Sequence, residues 1–241
     1  MTIDTIPIDH LALSFLPVAF VLLLMWRWRL RYGHALHAIA RMLIQLLLIG
    51  YALVFIFETG SSLIILTVLT VMVLASSWIA LNTIHSGRGS LFPASLVAVL
   101  LGGGITLAFI TQGVLRLDPW FLPSFMIPLA GMIFASSMTA ISLAAERLHA
   151  EVTNGRPYDE SRTIAFNTAM IPVINSLFAV GLVSLPGMMT GQILSGVSPL
   201  IAVRYQIMVM CMIFGSAGIS TICFLLITRH AAAFARIDRT E

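Results

Sequence analysis

Long apolar runs separated by short polar connections form the basic pattern of the chain. Seven windows contain no Asp, Glu, Lys or Arg, and most of them approach the roughly 20 apolar residues that span a bilayer. The second helix is expected to begin before its window, near Ala38, with Arg41 reaching the membrane interface. We predict an all-α polytopic membrane protein with about seven transmembrane helices in one domain, 1–241; six helices are the nearest alternative. The windows are 10–26, 42–57, 61–81, 91–113, 122–145, 164–184 and 205–228.

Composition agrees with a membrane protein and excludes an ordinary water-soluble fold. Hydrophobic residues make up 59% of the chain and charged residues 10%, with a mean hydropathy of +1.01. Soluble domains carry about 25% charged residues. The basic residues are all arginines and cluster between the apolar runs. The basic balance therefore indicates membrane orientation and not nucleic-acid binding.

The arginines divide unequally between the two sides of the predicted membrane. Eleven of the thirteen lie in the connection 27–41, at Arg88, in the stretch 146–163 and in the tail after the last window. The connections predicted on the opposite side of the membrane hold only Arg116 and Arg204. The positive-inside rule then predicts an outer N-terminus and a cytoplasmic C-terminus, in the cell inner (plasma) membrane.

One cytoplasmic stretch, "ERLHAEVTNGRPYDESRT" (146–163), is polar and long enough to be a functional loop. Residues 146–152 are able to extend the fifth helix. Asn154-Gly155-Arg156-Pro157 is a turn signal. Residues 159–162 have the acidic start that is typical of a following helix, the sixth.

The other end of the sixth helix carries the unusual sequence "GLVSLPGMMTGQILSG" (181–196). Pro186 lacks a backbone N–H and Gly187 permits unusual torsions, so we expect the sixth helix to end near Ser184. A short helix is then predicted from Gly187 to about Ser195. Nine residues span roughly 14 Å, which cannot cross a hydrocarbon core of about 30 Å.

This helix break, 184–199, must therefore cap the outer side or re-enter the membrane partway, and two interpretations of it stay open. A broken helix either shapes a turn or lines a transport pathway. Gly187 and Gly191 form a small-xxx-small pair that permits close approach of another helix. Buried amides often only join helices, and methionine often only fills space. The candidate gate or pathway residues are Ser184, Pro186, Gly187, Met188, Met189, Gly191, Gln192, Gln45 and Asn175.

Three segments carry a resemblance to a known family. "GLVSLPGMMTGQILSGVSPLIAVRYQIMVM" closely resembles the same region of the FetB (YbbM-type) permeases, and the Leu-Pro-Gly-Met-Met block is its specific part. "RMLIQLLLIGYALVFIF" and "MIPLAGMIFASSMTAISLA" resemble the second and fifth helices of that family. Family members are the membrane subunits of ABC transporters linked to iron export, and plant aluminium-tolerance permeases are relatives.

The resemblance implies a permease driven by a separate ABC ATPase, which would bind ATP and Mg²⁺. Because one copy of the chain is too small to enclose a pathway alone, we expect a homodimer with two ATPase copies. Family members carry a longer stretch before the sixth helix, with a Leu-Gly-Ala-Thr-Pro block that resembles an ATPase-docking loop. Here only Glu151, Gly155 and Pro157 stand in for that block, and with Arg162 they are the candidate coupling residues.

The absent motifs narrow the function further. A P-loop needs a lysine, which this chain lacks, so we expect no enzyme activity and no cofactor on this chain. The seven windows hold no ionisable Asp, Glu, Lys or Arg, although proton- and sodium-coupled carriers place such groups at mid-membrane. This favours a permease driven by a separate ATPase, and export of metal ions is implied by the resemblance alone. An ATPase-independent channel or carrier and a non-transporting scaffold remain the rivals, and metal ligands stay unknown.

Overall fold

The computed structural model describes residues 6–59, 61–84 and 87–230. Regular structure in these residues is helical, apart from an isolated bridge between Val180 and Ser184. The all-α polytopic fold is therefore confirmed. The chain separates into two compact units, residues 1–59 and 60–241, and each is described by itself. The prediction of a single domain, 1–241, stays a prediction.

The described residues of the first unit form three helices. The window 10–26 forms two of them, which meet at Ser14, whose hydroxyl donates a hydrogen bond of 2.7 Å to the carbonyl of Leu11. The next helix begins six residues before Ala38, because the polar residues after Arg31 already adopt helical torsions. The helices are α1 (Ile8–Leu13), α2 (Phe15–Arg27) and α3 (Tyr32–Thr59).

The second unit contains the remaining helices. The fourth predicted window of the chain, 91–113, forms a continuous helical stretch that alternates between α-helical and wider π-helical turns. The α-helices are α4 (Ser62–Ala80), α5 (Arg88–Ala98), α6 (Ile105–Ala108), α7 (Pro123–Thr153), α8 (Tyr158–Ala179), α9 (Gly187–Leu194) and α10 (Pro199–Ile227). The π-helical turns are Val99–Gly104 and Phe109–Val114, and a 3₁₀ turn, Thr228–His230, follows α10.

Small residues allow the helices of this unit to pack closely. A Cβ atom added to Gly102 would lie 2.4 Å from the backbone nitrogen of Ser220 and 2.7 Å from its Cα. The hydroxyl of Ser220 donates a hydrogen bond of 3.0 Å to Ser137, and all of these contacts are buried. Contact between the first π-helical turn and α10 therefore requires glycine at residue 102.

Helices α7 and α10 run side by side in the same direction. Ser136 of α7 donates a hydrogen bond to the carbonyl of Ile213, and Ser137 donates to that of Ser216. Further along, Tyr158, just beyond the end of α7, reaches Leu225 near the end of α10. The contacts occur in the same order along both helices, so α7 and α10 are parallel.

Helix α8 runs antiparallel to both of them. Its first residue, Tyr158, contacts the end of α10, whereas Leu177 near its end shares a cavity with Val203 and Gln206 near the start of α10. Helix α8 therefore accompanies α10 over most of its length.

In the described residues, six helical stretches are long and apolar enough to cross a membrane. The sixth predicted window, 164–184, is represented by α8, which is less apolar because it carries Asn167, Pro172 and Asn175. Its 22 residues have a length of roughly 33 Å, enough to span a hydrocarbon core of about 30 Å. The six stretches are Ile8–Arg27, Tyr32–Phe57, Ser62–Ala80, Arg88–Val114, Pro123–Thr153 and Pro199–Ile227.

The predicted orientation remains a prediction. Arg236 and Arg239, which contribute to the count of cytoplasmic arginines, lie outside the described residues. Arg88 begins α5, and its guanidinium donates a hydrogen bond of 2.6 Å to the carbonyl of Trp78 while stacking on the ring of that residue. An indole paired with an arginine is typical of a membrane interface.

Candidate functional site

The predicted cytoplasmic loop is mostly helical. Residues 146–153 are the last turns of α7, and α8 begins at Tyr158, as the sequence predicts. Only residues 154–157 connect the two helices. Coupling to any partner at this end would therefore act through a helical hairpin and not through a long flexible loop.

Glycine at residue 155 makes this tight turn possible. Gly155 has a φ of +79°, in the left-handed region that side chains other than glycine rarely adopt. Its N–H bonds to the carbonyl of Val152 at 3.0 Å, and the N–H of Arg156 bonds to the carbonyl of Glu151 at 3.2 Å. These two bonds form a Schellman motif, which satisfies the carbonyls at the end of α7. Pro157 then caps the start of α8.

The carboxylate of Glu151 is buried between two arginines. Arg147, one helical turn earlier, approaches one oxygen at 2.5 Å, and Arg156 beyond the turn approaches the other at 2.8 Å. Glu151 is only 5% exposed, so its charge needs both partners to be stable there. Arg156 also contacts Glu160 of α8 at 2.7 Å. The ion pairs consequently join α7, the turn and α8.

The start of α8 is also bonded to the end of α10. The hydroxyl of Tyr158 donates to the carbonyl of Leu225 at 2.5 Å and lies 3.2 Å from the hydroxyl of Thr228. Burial raises the pKa of the Tyr158 phenol above its ordinary value, so the group keeps its proton and remains a donor. Asp159 adds an ion pair of 3.3 Å with Arg229.

All four candidate coupling residues lie at this end of the second unit. Glu151, Gly155 and Pro157 form the turn as described above. Arg162 lies on the first turns of α8, 3.4 Å from Asp159. We name this group of residues, 147–162 with Leu225, Thr228 and Arg229, the clamp.

The helix break lies at the other end of α8, and the structure corrects its start. We predicted that the sixth helix ends near Ser184, but α8 ends at Ala179. Gly181, with a φ of +85°, turns the chain five residues before the proline. The carbonyl of Ala179 accepts hydrogen bonds from the N–H groups of Leu182, Val183 and Ser184, which closes the end of the helix. Ser184 therefore belongs to the turn.

The predicted short helix after the break is confirmed. Helix α9 runs from Gly187 to Leu194, with Pro186 as its cap. It ends in a second Schellman motif, in which Gly196 has a φ of +90° and the N–H of Val197 bonds to the carbonyl of Gln192. Eight residues span roughly 12 Å, so α9 does not cross a bilayer.

The proposed small-xxx-small pair makes no close helix contact within the described chain. A Cβ atom added to Gly187 or Gly191 would have no other atom within 4 Å. The two glycines therefore leave open space along α9, and no helix of the described residues occupies it.

A cavity of about 490 Å³ lies between the end of α8, the turn, α9 and the start of α10. Met189, Gln206 and Met210 line it, together with apolar side chains of α8 and the turn. Gln206 is only 4% exposed, and its side-chain oxygen accepts no hydrogen bond from the described residues; the same is true of the Gln192 oxygen. Met188 is half-buried beside them.

The other two candidate pathway residues lie elsewhere. Asn175 is exposed on α8, one turn before the end of that helix. Gln45 lies in the middle of α3, in the unit formed by residues 1–59, and its role stays a prediction from sequence. Among the described residues, no group of three His, Cys, Asp or Glu side chains is arranged to hold a metal ion.

Sequence reasoning missed a second cavity, which contains hydroxyl groups. About 290 Å³ in volume, it lies between α7 and α8 beside Ile213 of α10, and its polar side chains are Ser136, Thr139 and Ser176. Isolated serines and threonines are common where membrane helices pack, so their spacing alone gives no signal. Only the fold brings these three hydroxyls to one cavity.

Comparison with known proteins gives one family and several relatives. The model of an uncharacterised protein family (UPF0014) matches residues 8–232. A UPF0014 membrane protein of Synechocystis is 33% identical over 219 residues, which is 85% of each chain. The probable iron export permease protein FetB of Escherichia coli is 32% identical over 236 residues, covering 90% of this chain and 89% of the relative.

A plant relative is similar to the same degree. Protein ALUMINUM SENSITIVE 3 of Arabidopsis thaliana is 33% identical over 206 residues, covering 79% of this chain and 74% of the relative. No solved structure matches the chain.

Proposed function

Because the chain belongs to UPF0014, a family of polytopic membrane proteins that includes a probable iron export permease, we propose that it is the permease subunit of an ABC transporter. In this proposal it exports metal ions from the cell across the inner (plasma) membrane, with iron as the expected ion by similarity. A homodimer of the chain forms the pathway. Two copies of a separate ATPase bind ATP and Mg²⁺ and drive the cycle.

The clamp is the observation that carries this proposal. A force applied to the turn 154–157 acts on the last turns of α7 and the first turns of α8 through the Glu151 ion pairs. It also acts on the end of α10 through Tyr158 and Arg229. Three helices then move as one body, which is what an external ATPase needs in order to switch the bundle between two packings.

In the proposed topology of seven crossings, the clamp lies in the cytoplasm. Helix α8 accompanies α10, which is long and apolar enough to span the membrane, and this supports a crossing by α8 beside it. The arginine-rich ends of α7, α8 and α10 then share one side, as the positive-inside rule requires.

The helix break then lies on the outer side, at the far end of the same three-helix body. In the proposed mechanism, movement of α8 and α10 opens or closes the outer end of the pathway at the turn and α9. The side-chain oxygens of Gln192 and Gln206 are buried and accept no hydrogen bond from the described residues. An unsatisfied buried polar group is costly, which supports a second state in which these oxygens find partners.

The short connection favours one rival, an ATPase-independent channel or carrier. Within the described residues, the four residues between α7 and α8 contain no separate helix on which an ATPase could dock. The two functions differ in whether an ATPase binds the clamp.

Affinity purification of the full chain from its native host, with mass spectrometry of what co-purifies, tests the proposal. We expect a P-loop ATPase in stoichiometric amount. Asn154→Trp adds bulk at the exposed turn and should abolish its recovery. Ser195→Trp is the matched control. Ser195 is the C-cap of α9 as Asn154 is the C-cap of α7, and both precede the glycine of a Schellman motif, but Ser195 lies at the helix break and not at the clamp. Absence of an ATPase, in a detergent that preserves a known permease complex, would favour the channel or carrier.

A further inference from the structure

In the proposed topology, the hydroxyl-containing cavity between α7 and α8 lies near the middle of the membrane. Ser136 and Thr139 are the 14th and 17th of the 31 residues of α7. Ile213, which also lines the cavity, is the 15th of the 29 residues of α10. We name this cavity the mid-membrane groove.

Every hydroxyl proton in the groove is already donated to the backbone. Ser136 donates to the carbonyl of Ile213 at 3.3 Å, and Thr139 to that of Ala135 at 2.9 Å. Ser176 donates to the carbonyl of Pro172 at 2.9 Å. Each hydroxyl oxygen has one proton and two lone pairs, so only lone pairs remain for a molecule that enters the groove.

Within the part of the chain that the structure describes, no other lining group supplies a side-chain donor. The remaining lining residues are alanine, valine, isoleucine and proline, and Pro172 lacks even a backbone N–H. In this arrangement the described residues of the groove present oxygen lone pairs to a molecule that enters it, which favours a cation over an anion.

Two of the three hydroxyl side chains of the groove are exposed and not enclosed between helices. Thr139 and Ser176 are both exposed, and so is Asn175 beside them. A polar side chain that faces lipid loses the hydrogen bonds that it would have in water. Water in the groove would supply such partners to Thr139 and Ser176, which line it, whereas Asn175 lies outside the lining.

We propose that the mid-membrane groove is a cation subsite, in which the oxygens of Ser136, Thr139 and Ser176 contact a divalent cation that retains part of its hydration shell. Neutral oxygen ligands suit hard divalent cations, and weak binding permits release. The proposal rests on the proposed transport function and adds the place and the charge of what passes.

Cysteine labelling tests the groove without measuring transport. In full-length protein in native membranes, with Cys211→Ala and Cys223→Ala as background, Thr139→Cys is treated with cationic and anionic methanethiosulfonates of similar size. We expect the cationic reagent to react roughly tenfold faster than the anionic one, after each rate is divided by its rate at the reference cysteine. Tenfold is the lower end of the rate increase that a focused electrostatic field produces. Thr190→Cys on the exposed α9 is the reference, and Ser176→Cys repeats the test from α8.

The labelling result has two contrary outcomes. If neither cysteine reacts while Thr190→Cys does, the groove is not open to water. If the ratio of the cationic to the anionic labelling rate equals the ratio measured at Thr190→Cys, the groove does not select by charge. Either result overturns the proposal, provided that the variants elute from gel filtration like the parent.

Transport then separates this proposal from the proposed function. Thr139→Val should slow Fe²⁺ or Mn²⁺ efflux from loaded cells several-fold, and Thr139→Ser should restore it. Thr67→Val is the matched control, because Thr67 makes the same type of bond to Leu63 at 2.8 Å on α4, outside the groove. Unchanged efflux in Thr139→Val contradicts the groove. If the wild type transports neither ion while labelling still depends on charge, the proposed metal export fails and the groove remains.

Discussion

The Tyr158 hydroxyl donates a hydrogen bond of 2.5 Å to the carbonyl of Leu225, and this contact joins the first residue of α8 to the last turns of α10. The two residues are 67 apart in sequence. Carbonyls in the last turn of a helix lack helical donors, so the phenol satisfies a group that would otherwise need water. A force on the start of α8 therefore also acts on α10.

Replacement of Tyr158 with phenylalanine removes this bond and keeps the ring. We expect a loss of about 1 kcal/mol in the free energy of unfolding, typical of one neutral hydrogen bond, and a lower midpoint of thermal unfolding in detergent. Tyr51→Phe, which changes a side chain that is 81% exposed, should leave the midpoint unchanged. Equal midpoints for the two variants would show that the Tyr158 bond contributes nothing to stability.

Replacement of Glu151 with glutamine should destabilise the clamp more than the same change at Glu160. The Glu151 carboxylate is buried and contacts two arginines, whereas Glu160 is exposed and contacts Arg156 alone. We expect a loss of about 1–3 kcal/mol for Glu151→Gln, and less than about 1 kcal/mol for Glu160→Gln, because solvent screens an exposed pair. Chemical unfolding of the two variants in parallel measures the difference, and comparable losses would contradict the role assigned to the buried carboxylate.

Substitutions of two glycines that lie two residues apart should differ in their effect on stability. Gly102→Ala places a methyl group against the backbone of Ser220, which cannot move aside, and should cost about 1–3 kcal/mol or more. Gly104→Ala has no other atom within 4 Å and should be neutral or stabilising by up to about 1 kcal/mol, because alanine favours helix. Thermal unfolding in one detergent compares them. If the Gly102→Ala variant were as stable as the Gly104→Ala variant, this would contradict the close contact between the first π-helical turn and α10.

The proposed outer gate predicts a loss of transport without a loss of stability. Pro186→Ala frees the torsion that fixes the entry to α9 and restores a backbone donor, so we expect slower metal efflux at an almost unchanged unfolding midpoint. Pro7→Ala is the control, because Pro7 is the N-cap of α1 with nearly the same torsions as Pro186 but lies outside the helix break. Wild-type efflux in Pro186→Ala would remove the gate assignment.

Sequence patterns predicted the elements of this fold better than their contacts. Apolar windows predicted each long helix, and the Pro-Gly signal at 186–187 predicted the start of α9, because both depend on local chemistry. The end of α8 was misplaced because Gly181, and not Pro186, takes the left-handed conformation. Many glycines in apolar runs are ordinary helix residues, so the sequence did not distinguish Gly181 from them.

Contacts between distant residues could not be predicted in the same way. Glu151 was a candidate from resemblance, but nothing local indicated that Arg147 and Arg156 would both contact it. The hydroxyl groups of the mid-membrane groove come from two helices and gained meaning only when α7 and α8 packed together. Local patterns determine where helices begin and end, whereas packing determines which polar atoms meet.

Whether α8 crosses the membrane is the prediction on which the placement of every candidate site depends. Its composition is the least apolar among the long helices, yet it lies antiparallel to α10 from Leu225 back to Val203. A crossing by α10 alone would place the clamp and the helix break on the same side, although they lie at opposite ends of α8. We therefore expect alkaline phosphatase fused after Leu182 to be active outside the cell, and green fluorescent protein fused after Asn154 to fluoresce inside it. Fusions after Leu182 that fluoresce and lack phosphatase activity would reduce the count to six and place the break in the cytoplasm.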